Sequence, residues 1–136
     1  MEYIAEAVHQ DGMRFHVTAG LHSVETDYPL RAEETGSGPR PLELLLGSLA
    51  SCAGGSVVAL MRRAGRPLGG LKVSAKGQRR AVHPTVFTDI ALEFVVCGKT
   101  DLEAVARAVE QSESQICPVW AMLKPSTNIT TAIRTE

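Results

Sequence analysis

Between Glu43 and Arg62 lie eighteen residues, Leu44 to Met61, that carry no charge. This run sits inside Pro41 to Gly65, PLELLLGSLASCAGGSVVALMRRAG, and it limits the folds open to the chain more than any other feature. At a helical step Leu45, Leu49, Ala53, Val57 and Leu60 share one apolar face. Gly47, Ser51, Gly54, Gly55 and Ser56 put small groups on much of the rest, with Cys52 among them. A helix apolar or small nearly all round has to be covered on most sides. Each interior glycine costs about 1 kcal/mol of helix propensity, so their number points to something packing close against the backbone.

The length invites a membrane reading, since about 18 apolar residues are enough to span a bilayer. Two observations argue against it. Seven of the eighteen are Gly, Ser or Cys, and the flanking segments alternate like the strands of a soluble domain. The stretch is therefore expected to be a central core helix, shared between two subunits if its own chain cannot cover it.

The flanks are organised by period. Ile4 to His9 and Met13 to Thr18 read as strands around Gln10-Asp11-Gly12, where Asp-Gly signals a hairpin, and His22 to Tyr28 reads as a third strand. Residues 30 to 40, LRAEETGSGPR, form an exposed loop, and Pro41 suits a first helical position. Leu71 to Lys76 and Phe87 to Val96 alternate at period two, with Arg79 to Pro84 as the break between them. Thr100-Asp101-Leu102-Glu103 is a capping-box pattern that opens a helix through Val109 and should fail near Gln115, because Pro118 disfavours helical dihedrals just before it. A short helix from Pro118 to Lys124 and a last strand, Asn128 to Arg134, complete the order. The expectation is a single α+β domain over residues 1–136, its mostly antiparallel sheet packed on the long helix, with enough apolar surface left over to call for a dimer.

Composition excludes several functions. The net charge is −1 with both signs interspersed, and no basic stripe marks a nucleic-acid surface. The start, MEYIAEAVHQ, has no signal-peptide pattern, so a cytoplasmic location is expected. His9, His16, His22 and His83 lack paired spacing, and the three cysteines at 52, 97 and 117 fit neither a zinc site nor a disulfide framework. No metal or cofactor is expected.

The cysteines divide by setting. Cys52 is mid-helix, and its residues alone read as a small core side chain unless a cation reaches it, with Arg31 and Arg40 the nearest upstream. Cys117 is expected at an N-cap before Pro118, where unpaired N–H groups favour a thiolate, so structural and reactive roles both stay open. Cys97, at a strand end beside Gly98, has no activating neighbour in sequence. Trp120 reads as core packing or as the wall of an apolar pocket beside Cys117.

Two segments, PLELLLGSLASC and ICPVWAML, in this order and spacing, resemble those of the OsmC/Ohr family, and the order of elements is similar over essentially the whole chain. The resemblance implies an intertwined homodimer in which the two long helices bury each other. It further implies a thiol peroxidase for organic hydroperoxides. By position, Cys52 would be the peroxidatic cysteine and Cys117 the resolving one. A dithiol such as a lipoyl protein would reduce the resulting disulfide. Family peroxidases carry an acid directly after the helix-opening proline, paired with a loop arginine. Here Leu42 holds that place and Glu43 is the nearest acid; Arg14 beside the first hairpin and Arg31 in the loop both offer the arginine, and Arg31 is taken for the role. Nine helical steps put Glu43 opposite Cys52. The alternative is a non-catalytic dimer that binds a small apolar or electrophilic ligand near the cysteines; a dimeric structural domain with buried thiols is the third reading.

Overall fold

A computed structural model of the chain describes every residue except Ala32. The chain divides into two compact units, residues 1–45 and 46–136, with the long helix beginning in the first and continuing in the second.

The first unit is an antiparallel meander, β1 (Ala5–His9), β2 (Phe15–Ala19) and β3 (His22–Thr26), paired in the order β1-β2-β3. The Asp-Gly turn forms as its sequence predicts: Gln10 N donates to Arg14 O at 2.9 Å, and Gly12 takes a positive φ of 49°. Across β2 and β3, His16 faces Glu25, whose carboxylate also takes a hydrogen bond from Arg14 at 3.2 Å. All five residues of β1 are exposed, as are Tyr3, Ile4 and Leu21. In the loop that follows, the Asp27 carboxylate accepts from Tyr28 N at 2.8 Å and from Ser37 N at 3.0 Å.

Helix α1 runs from Pro41 to Arg63. In the second unit it is followed by β4 (Leu71–Arg79), β5 (Phe87–Val96), α2 (Leu102–Gln111), a π-helical turn (Ser112–Ile116), α3 (Pro118–Leu123) and β6 (Asn128–Thr135). The sheet order is β4-β5-β6. Strands β4 and β5 are antiparallel, but β6 lies parallel to β5, from Asp89 opposite Asn128 to Val96 opposite Thr135. The pairing is mostly antiparallel, as expected, but the strands form two three-stranded sheets rather than one, and the second is mixed. The reason is the connection. A helical crossover between β5 and β6 returns the chain to the end of the sheet at which β5 began, which makes the pair parallel.

Burial explains the packing of the second unit. Leu49, Ala53, Val57 and Met61 of α1, Phe94 and Val96 of β5, Val105 and Val109 of α2, and Trp120 of α3 form its core. Each large apolar side chain removed from water contributes about 1.5–3 kcal/mol before the entropy of ordering it. Asp101 caps α2, accepting from Glu103 N at 3.0 Å and Ala104 N at 3.2 Å, while Thr100 turns back to Cys97 O at 2.9 Å. The cap is therefore the second residue of the predicted box.

The close approach expected at the α1 glycines is found at Gly54, where an added Cβ would lie 3.0 Å from Val73 Cγ2. Gly47 and Gly55 differ: a Cβ on either would meet nothing within 4 Å. An open groove of about 440 Å³ runs along this side, lined by residues that include Gly47, Ser51, Gly55, Val58 and Leu71. By length and composition alone α1 could cross a membrane. Its Leu49, Ala53, Val57 and Met61 stripe is nonetheless buried, as in a core helix with one face still open.

Candidate active site

The two cysteines that the sequence sets 65 positions apart meet in the second unit. Cys117 arrives there through three local devices. Pro118 at the first position of α3 forces the preceding residue into extended dihedrals, and Cys117 has φ −74° and ψ 109°. That geometry makes it the N-cap, as expected, with Sγ accepting from Trp120 N at 3.4 Å. The π-helical turn then ties Cys117 N to Ser112 O at 2.8 Å, five residues back.

Cys52 comes from the middle of α1 and is half-buried. Its carbonyl takes a hydrogen bond from Ser56 Oγ at 3.0 Å. Cys52 lies close enough to the Cys117 thiol to influence its protonation.

The expected thiolate at Cys117 is corrected by this arrangement. Burial pushes the Cys117 thiol above its ordinary value of 9.0, because removing a thiolate from water costs more than the Trp120 N–H returns. The neighbouring Cys52 adds to the rise. Cys97 stands apart from both, exposed at the end of β5, with Sγ 2.8 Å from where a Cβ on Gly70 would be.

The remaining predicted residues belong to the first unit. The Glu43 carboxylate accepts from Arg40 N at 2.9 Å and so closes the first turn of α1 on itself, a capping duty. Arg31 is exposed in the loop before α1, Arg40 lies over the Tyr28 ring at 5.7 Å, and Arg14 is held between Asp11 and Glu25. Trp120 is a core residue, as its apolar neighbours in sequence indicate, and its backbone N–H serves Cys117. Among the described residues no group of three or more His, Cys, Asp or Glu is placed to hold a metal ion.

Sequence reasoning missed Ser112 and the π-helical turn. The turn leaves no periodic trace, but Ser112 did leave one: Val105, Ala108, Val109 and Ser112 continue a single helical stripe, so a polar residue occupies a core position.

With Cys117 at a helix cap beside Cys52 of the long helix, the chain is an α+β protein that brings two cysteines together. The chain belongs to the OsmC family, whose model for OsmC-like proteins matches residues 34–132. It is similar to protein YhfA of Escherichia coli, 36% identical over 94 residues that cover 68% of this chain and 69% of that one. Among solved structures, a hypothetical protein from Aquifex aeolicus superposes with a TM-score of 0.89 at 27% identity, covering 100% of this chain and 97% of the other. The organic hydroperoxide resistance protein OhrB of Bacillus subtilis has the same fold, with a TM-score of 0.71 at 17% identity over 98% of both chains.

Proposed function

We propose that the protein is a cytoplasmic, homodimeric thiol peroxidase that reduces organic hydroperoxides. The observation that carries this reading is the nearness of the half-buried Cys52 of α1 to the buried Cys117 thiol. Membership of the OsmC family supports it, as does the fold shared with organic hydroperoxide resistance proteins.

In this mechanism the Cys52 thiolate attacks one oxygen of the peroxide. The O–O bond breaks, leaving a sulfenic acid on Cys52 and an alcohol that takes up a proton. Cys117 then attacks the Cys52 sulfur, an S–S bond replaces the S–O bond, and the hydroxyl departs as water with the Cys117 proton. A dithiol such as a lipoyl protein returns both cysteines to thiols by exchange. Half-burial leaves Cys52 open to substrate, while the buried Cys117 is kept for the second step. A second copy of the chain would cover the groove beside Gly47 and Gly55 and the exposed β1, which fits a homodimer built on α1.

One observation favours a second reading, in which the same dimer binds a small apolar or electrophilic ligand without turnover: the capping bond that occupies Glu43. A single assay separates the two. With cumene hydroperoxide and a dithiol, the peroxidase reading expects Cys52→Ser to lose turnover and Cys117→Ser to stop with a sulfenic acid on Cys52. Full turnover in Cys52→Ser would contradict it.

A further inference from the structure

Ser112 has no solvent exposure, and all three of its polar groups are engaged at the junction between the two cysteines. Its N–H reaches the Ala108 and Val109 carbonyls of α2. Its carbonyl accepts from Cys117 N at 2.8 Å, the bond that closes the π-helical turn. Its hydroxyl donates to Ala53 O of α1 at 3.5 Å, one residue past Cys52. One residue thus links Cys117, through the main chain, to the backbone beside Cys52, through its side chain. A buried hydroxyl without a partner costs about 1–3 kcal/mol, so the π-helical turn is held against this point of α1 rather than merely near it.

The α1 end of this link has its own device. In a regular helix the carbonyls of Cys52 and Ala53 accept from the N–H groups four residues on. Here each has a hydroxyl donor as well, Ser56 Oγ at 3.0 Å for Cys52 and Ser112 Oγ for Ala53. Disulfide closure requires Cα atoms about 4.4–6.8 Å apart and a narrow range of torsions, so the backbone beside each cysteine has to be held in place as the S–S bond forms. The two carbonyls that lose helical partners if α1 opens at this point are those that keep a hydroxyl.

We propose that Ser112 is the positioning residue for disulfide closure, holding the Cys117 thiol in register with Cys52 through its contact with the Ala53 carbonyl. The inference rests on the peroxidase reading and concerns its second chemical step. In that step the Cys52 S–O bond breaks, the S–S bond forms, and the Cys117 proton leaves with the hydroxyl as water; Ser112 exchanges neither proton nor electron. It acts through Cys117 and Ala53.

The test separates the two steps. The reduced protein is mixed with cumene hydroperoxide, and sulfenic acid on Cys52 is trapped with dimedone while disulfide closure is followed by mass. Ser112→Ala is expected to form sulfenic acid at the wild-type rate but to close the disulfide about ten- to a hundredfold more slowly, the scale set by a small misplacement of reacting groups. Its disulfide should also be more readily reduced in a glutathione buffer. Ser112→Thr and Ser112→Val have nearly the same shape and differ in the hydroxyl; closure should be preserved in the first and slowed in the second, even if the alanine variant is too unstable to use. Closure at the wild-type rate in both Ala and Val variants, or equal slowing of both steps, overturns the role of Ser112 and leaves the peroxidase reading standing. Failure of the wild-type protein to join Cys52 to Cys117 overturns the peroxidase reading and this inference together.

Discussion

Cys52 lies beside the Cys117 thiol and helps to keep its proton on, although 65 positions of sequence separate the two. The π-helical turn Ser112–Ile116, the extended dihedrals before Pro118 and the long α1 make that contact, and none of them does so alone. Burial, with Cys52 beside it, leaves a Cys117 that holds its proton.

The first prediction is a pH dependence of stability. The folded chain keeps the Cys117 proton to higher pH than the unfolded chain, whose thiol titrates near the ordinary 9.0. The folded state therefore binds more protons in the window above that value. The stabilisation is complete below it and is lost as pH rises from it through the higher folded value. Urea midpoints from about pH 7 to about pH 10.5 should fall more steeply for the wild type than for Cys117→Ala. Parallel slopes would show that burial does not hold this proton.

Glu43 gives the second. Because its carboxylate caps Arg40 N, Glu43→Ala should cost about 0.5–2 kcal/mol of stability. In Glu43→Gln the side-chain carbonyl still accepts, so both stability and peroxidase turnover should stay near wild type. A large loss of turnover in the glutamine variant, with stability unchanged, would return Glu43 to the chemistry of Cys52.

The glycines of α1 supply the third. Gly54 is closed by Val73 within the chain, whereas Gly55 faces open space. Gly55→Leu should fold with its helix content intact yet weaken the proposed dimer, seen as a shift toward monomer in analytical ultracentrifugation. A variant that sediments as the wild type does at every concentration would place the dimer contact elsewhere.

Much of the fold is legible in the sequence, because local signals and tertiary packing agree. Asp11-Gly12 makes its hairpin, Pro41 opens α1, the alternation from Phe87 to Val96 is β5 residue for residue, and Cys117-Pro118 opens α3. Cys52 and Cys117 stand out by motif. What stays hidden is non-local. The parallel direction of β6 follows from where a helical crossover ends, and no residue within β6 encodes it. The direction of the Cys117 shift depends on how deeply α3 sinks into the core, a competition that an N-cap position alone would decide the other way. Ser112 was within reach of sequence, as a polar residue on an apolar stripe, but its partner at Ala53 lies 59 positions away.

The central claim is that Cys52 and Cys117 form one redox unit. Its most direct test is intact mass with peptide mapping of the reduced protein after one equivalent of cumene hydroperoxide, with hydrogen peroxide as the comparison. The account predicts rapid loss of two hydrogens, a crosslink between the Cys52 and Cys117 peptides, and a faster reaction with the organic peroxide. Free thiols at both positions, or oxidation confined to the exposed Cys97, would contradict it.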